Sequence, residues 1–160
     1  MKLARQTALE AGLAAPDFTL PSTHQSPLTL SELRGRPVIL VFYPGDFTPV
    51  CTSQLALYNE VLDMFADFDA QLFGISSDDL QSHQDFAAAQ KLEFPLLADD
   101  DPRGDVARAY GVYDERRQQC KRALFVLDKE GRIHWSYVSP NPINPGADGI
   151  LSALESLPNG

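Results

Sequence analysis

Residues 37–44 read PVILVFYP, an unbroken apolar and β-branched run framed by prolines. No other segment of the 160 residues constrains the fold as much. A strand with one wet face alternates apolar and polar residues. A strand apolar at every position is covered on both faces, as in a sheet whose parallel strands lie between layers of helices. Residues 70–77, AQLFGISS, make a second such run. Between them Leu55, Tyr58, Leu62 and Phe65 recur at spacings of three and four, which predicts an amphipathic helix from 49 to about 67.

The same alternation continues. The pattern predicts a helix over 79–91, a short strand in EFPLLAD with its proline at the edge, and a helix in DPRGDVARAYGV closed near Gly111. RALFVLDKEGRIHWSYV reads as a hairpin turning at Lys129–Glu130–Gly131. A last helix is expected over 145–157. Upstream, LTLSELRG suggests a short strand, a turn and one helical turn ending at Gly35. The order β-α-β-α-β-α-β-β-α implies an α/β fold, a central mixed sheet flanked by helices on both faces. In such sheets, sites form at the carboxyl ends of strands. The length predicts a single domain spanning 1–160, and a core large enough to need no metal or disulfide staple.

Charge narrows the function. Thirteen basic and 22 acidic side chains give a net charge of −9, which argues against nucleic-acid and anionic-membrane partners. No apolar run is long enough to span a membrane. The amino terminus is only superficially like a leader, since Glu10 and Gly12 interrupt its apolar stretch. Two cysteines are too few for a disulfide framework, and free thiols suit a reducing, cytoplasmic setting.

One of those cysteines lies where the first buried strand passes into its helix, in FYPGDFTPVCTSQ (42–54). Thr48 suits the N-cap and Pro49 the first helical position, so Cys51 falls third. Its sulfur would lie beside unpaired backbone N–H groups at the positive end of the helix dipole, where an anion is favoured. A nucleophilic thiolate needs such a setting. Acyl transfer would require a base, and His24, His83 and His134 follow no recognisable nucleophile motif. Disulfide exchange normally uses C-x-x-C, but position 48 is threonine and position 54 glutamine. A thiolate beside a hydroxyl and an arginine suits attack on a peroxide oxygen, given donors for the leaving oxygen.

PGDFTPVC fits the P-x-x-x-T-x-x-C motif of the peroxiredoxins, and the chain resembles that family beyond the motif. GLAAPDFTL, LSELRGRPVILVFYP, GISSDD, FPLLADDD, YGVYDE and RALFVLDKEGRI resemble its successive units in order. The resemblance implies a thioredoxin-like fold and a thiol-dependent peroxidase acting on hydrogen peroxide and organic hydroperoxides, without a cofactor or metal. It implies that Cys51 is the peroxidatic cysteine, which becomes a sulfenic acid. It makes Thr48 the residue that orients peroxide and thiolate, Pro44 a shield, and Arg122 the hydrogen-bond donor to both. It also implies use of the Cys51 N–H and unwinding of the first helical turn for resolution. Gln54 departs from the glutamate of many relatives.

The sulfenic acid must be reduced. The branch resembling bacterioferritin comigratory protein carries a resolving cysteine five residues on, but position 56 is alanine. Only Cys120 remains. If the strand of Arg122 already runs through it, both side chains face the same way, with Cys120 too far along to bond Cys51 directly. The expectation is a one-cysteine mechanism resolved by an external thiol: thioredoxin, glutaredoxin or a low-molecular-weight thiol. The alternatives are a two-cysteine enzyme resolved by Cys120, a thiol–disulfide oxidoreductase, or a peroxide sensor or holdase. The protein is expected to be a monomer or homodimer. Asp99–Asp100–Asp101 reads as a solvated turn and helix start rather than a metal site. The histidines receive no role.

Overall fold

The computed structural model describes residues 7–24 and 26–158. Part of the leader-like segment weighed above lies outside them. A short antiparallel ribbon, β1 (Thr19–Leu20) with β2 (Leu28–Thr29), leads into a 3-10 turn over Leu30–Leu33. Then come β3 (Val38–Phe42), α1 (Pro49–Glu60), α2 (Leu62–Ala66), β4 (Gln71–Ser76), α3 (Leu80–Gln90), β5 (Leu96–Ala98) and α4 (Asp105–Ala109). A second ribbon, β6 (Tyr113–Asp114) with β7 (Gln119–Cys120), precedes β8 (Arg122–Leu127), β9 (Ile133–Ser139) and α5 (Asp148–Glu155).

The central sheet has the order β5-β4-β3-β8-β9. β3 runs parallel to β4 and β4 to β5, while β8 is antiparallel to both β3 and β9. The sheet is mixed, as the sequence predicts. Every side chain of β3 is buried. Ile39 and Val41 join Leu55, Tyr58, Phe65, Leu124 and Ile150 in one core. Leu40 and Phe42 join Ala107, Tyr110, Ala123 and Phe125 in the other. Each fully buried side chain of this size stabilises the fold by about 1.5–3 kcal/mol relative to exposure, which is why the apolar run dictates a two-sided sheet.

Three expectations change. The helix predicted over 49–67 breaks at Val61, whose N–H is shared between the Leu57 and Tyr58 carbonyls, each at 3.2 Å. The break lets the chain turn back to β4 while Phe65 stays in the core of Tyr58. The helix predicted in DPRGDVARAYGV shrinks to Asp105–Ala109, bounded by Gly104 at φ 75° and Gly111 at φ 76°. Finally, the strand of Arg122 does not run through Cys120. Cys120 pairs with Tyr113 in the ribbon, and the Lys121 N–H donates to the Val112 carbonyl at 2.7 Å. That break turns Cys120 into the Phe42–Phe125 core, on the opposite side of the sheet from Arg122. No helix among the described residues is long and apolar enough to cross a membrane.

Candidate active site

Because β3 and β8 are antiparallel, the carboxyl end of one meets the amino end of the other. Phe42 pairs with Ala123, so Arg122 lies just past the end of β3. α1 begins at Pro49 with Thr48 as its N-cap, which puts Cys51 at the third helical position. These two facts join residues 71 apart: Arg122 Nη1 donates to Cys51 Sγ at 3.3 Å. Both groups are buried, Cys51 completely. Among the described residues the Cys51 N–H has no acceptor, as expected in a first helical turn.

The guanidinium is held from three directions. Nε donates to the Asn141 carbonyl at 3.0 Å, and Nη1 also donates to Gln54 Oε1 at 2.8 Å. Gln54 Nε2 in turn donates to Tyr58 Oη at 3.1 Å, and Tyr58 donates to the Gly146 carbonyl at 2.9 Å. Burial pushes the Tyr58 phenol up to about 12, so it keeps the proton that this chain of bonds requires. Gln54 therefore orients Arg122 without neutralising it, whereas a carboxylate in its place would form an ion pair. Nη2 has no protein partner among the described residues.

An open cleft of about 500 Å³ lies against this arrangement. Pro44, Thr48, Val50, Arg117, Arg122 and Pro142 are among the residues that line it. Cys51 does not line the cleft; Arg122, which does, touches its sulfur. Thr48 is exposed and does not cap α1 with its side chain, contrary to expectation. Its hydroxyl donates instead to the Gly45 carbonyl at 2.9 Å. With its proton so engaged, Thr48 can offer the cleft only acceptor lone pairs.

Cys120 lies elsewhere. It is fully buried, and desolvation pushes its thiol well above the ordinary range, with the carboxylates of Asp99 and Asp78 adding to the effect. Asp99 is not a solvated turn residue: it is buried and accepts from the Val106 and Ala107 N–H groups at 3.0 and 2.9 Å, starting α4. The sequence reading also missed His83, which is fully buried in α3 and bonded to Asp46 of the loop between Pro44 and Thr48. An isolated histidine on a helix carries no spacing signal that could have revealed this contact.

The model of the AhpC/TSA family matches residues 11–136. "Peroxiredoxin 2" of Thermoplasma acidophilum is 34% identical over 152 residues, covering 91% of this chain and 75% of that protein. "Peroxiredoxin Bcp" of Bacillus subtilis is 32% identical over 157 residues, covering 93% and 95% respectively. Among solved structures, the peroxidoxin BcpB of Mycobacterium tuberculosis superposes with a TM-score of 0.83 at 29% identity, over 94% of this chain and 99% of that one. Peroxiredoxin Q of Xanthomonas campestris gives 0.81 at 30% identity, over 91% and 97%.

Proposed function

The chain belongs to the AhpC/TSA family and is a peroxiredoxin of thioredoxin-like fold, a thiol-dependent peroxidase; from that premise we propose that Cys51 is its peroxidatic cysteine. The observation that carries the reading is the 3.3 Å contact between Arg122 and the Cys51 sulfur beside the cleft. The thiolate attacks the distal oxygen of hydrogen peroxide or an organic hydroperoxide. An S–O bond forms as the O–O bond breaks. The sulfur is oxidised to a sulfenic acid, and the departing oxygen takes a proton from solvent to leave as water or an alcohol.

Each neighbour has a part. The fixed charge of Arg122 stabilises the thiolate, and its Nη2 donors meet the negative charge growing on the leaving oxygen. Thr48 accepts from the peroxide O–H and so aims the distal oxygen at sulfur. Pro44 excludes water from the buried thiolate. The free Cys51 N–H supplies a further donor. Because the sulfur has no exposed surface, the first turn of α1 must open when a second thiol arrives.

Resolution, on this reading, comes from outside the chain. Cys120 belongs to the core on the other side of the sheet, so a disulfide between the two sulfurs requires the sheet to be breached. An external thiol, from thioredoxin, glutaredoxin or a small molecule, condenses with the sulfenic acid and releases water. A second thiol then frees Cys51. Both free cysteines suit a reducing compartment such as the cytoplasm.

The test is the intact mass after one equivalent of hydrogen peroxide, with and without a sulfenic-acid trap. The expected result is gain of one oxygen, trapped at Cys51. No change would refute the assignment of Cys51. Loss of two hydrogens within one chain would refute the one-cysteine part and install Cys120 as the resolving thiol.

A further inference from the structure

The loop between Pro44 and Thr48 rests on a buried polar network with no part in the chemical steps at sulfur. Asp46 is its centre, with a side chain only 1% exposed. Its Oδ1 accepts from the Tyr43 hydroxyl at 2.7 Å. Its Oδ2 accepts from the Ser82 hydroxyl at 2.7 Å and faces His83 Nδ1 at 2.8 Å. The Asp46 N–H donates to Asp78 Oδ2 at 2.8 Å, and Ser76 donates to the same oxygen at 2.7 Å. On the far side of the imidazole, His83 Nε2 lies 3.0 Å from the Leu97 carbonyl oxygen.

The ring is fully buried and an acceptor faces each nitrogen. A carbonyl only accepts, so Nε2 carries a hydrogen, and Nδ1 shares a hydrogen bond with Asp46. Both ring nitrogens are therefore engaged, which fixes the plane and the position of the imidazole. Asp46, Asp78 and His83 present ligand atoms within 4.8 Å of one another, but the hydrogen on Nε2 and the Asp46 bond at Nδ1 already use both ring nitrogens.

Next to Asp46, Phe47 has φ 65°, in the left-handed region that bulky residues avoid. Such a conformation persists only where its surroundings over-determine it. Asp46 is anchored on one side of Phe47, and Thr48 is tied back to Gly45 on the other. We propose that His83 is a positioning residue for peroxide reduction, acting through Asp46 to hold residues 44–48 in the strained form that places Pro44 and Thr48 in the cleft wall. The inference rests on Cys51 being the reacting thiol.

The test has two parts. In the native protein, nitrogen-15 spectra of the imidazoles should show a hydrogen on His83 Nε2 and a hydrogen bond between Nδ1 and Asp46; an Nδ1 without that bond would overturn the proposal. Then His83→Gln, Asp46→Asn and the double variant are compared for the rate of Cys51 oxidation by hydrogen peroxide and for its alkylation by iodoacetamide. Each single change should slow oxidation about tenfold by misplacing Thr48 while alkylation stays within about twofold, and the double should be no slower than the worse single. Unchanged oxidation, parallel loss of both reactions, or additive losses would each overturn it. Should His83→Gln fail to fold, the nearly isosteric Asp46→Asn and the native spectra decide. Failure of the native protein to gain oxygen at Cys51 would instead strike the reading of the site itself.

Discussion

Cys51 and Cys120 are equally inaccessible, with no exposed surface on either, yet they keep opposite company. Cys51 meets a guanidinium and the start of a 12-residue helix. Cys120 sits in an apolar core where desolvation, joined by the charges of Asp99 and Asp78, outweighs a backbone hydrogen bond at Ser77 and the charge of Arg103. Burial alone disfavours a thiolate, and only nearby positive charge or N–H donors reverse that. The pair shows one sheet maintaining two electrostatic climates, with the strands as the partition. On one side sulfur is in contact with a buried guanidinium, and on the other it packs as a small apolar filler.

The sharpest way to break this contrast is to exchange the sulfurs one at a time. Cys51→Ser should lower peroxide consumption, measured with dithiothreitol as reductant, by at least about a thousandfold, as expected when a covalent nucleophile is removed. Cys120→Ala should stay within about twofold. Comparable losses in the two variants would mean that both sides of the sheet take part.

A smaller effect should come from Arg122. Arg122→Lys keeps a charge but loses the planar fork that reaches Gln54, Asn141 and sulfur together. Stopped-flow oxidation of Cys51 should slow by about ten- to a hundredfold, less than the roughly hundred- to thousandfold cost of removing a preorganised oxyanion donor outright, because a charge is kept. A rate equal to that of the native protein would reduce Arg122 to a generic cation.

The smallest effect belongs to Cys120 and to stability. Its thiol is pushed up by burial, so the folded chain holds a proton that the unfolded chain releases in the ordinary thiol range. The unfolded state then binds fewer protons, and stability must fall as pH rises through and beyond that range. Urea midpoints taken from pH 7 to 10 should decline more steeply for the native protein than for Cys120→Ala. Parallel declines would show that Cys120 is not the source.

The parts legible in the sequence were those written in local periodicity. The all-apolar run 38–42 announced a two-sided strand, and Thr48-Pro49 placed Cys51 at the third helical position. Arg122 was legible through the resemblance of RALF. The course of the chain at Lys121 was not, because a single unpaired residue leaves no trace in a period-two pattern. His83 was equally silent: its importance lies in Asp46, 37 residues away, and only the tertiary structure supplies that partner. The Thr48 side chain misled in the other direction. Its type suits a cap, but the tight loop offers the Gly45 carbonyl as a nearer partner.

The register that sets Phe42 opposite Ala123 also orders events in time. While a ribosome is still making the first hundred residues, Cys51 has no guanidinium beside it. Closing a contact across 71 residues is a late, entropically expensive step of folding. The nascent chain therefore carries a thiol without its cationic partner. The sulfur meets that partner only when the penultimate strand of the sheet docks.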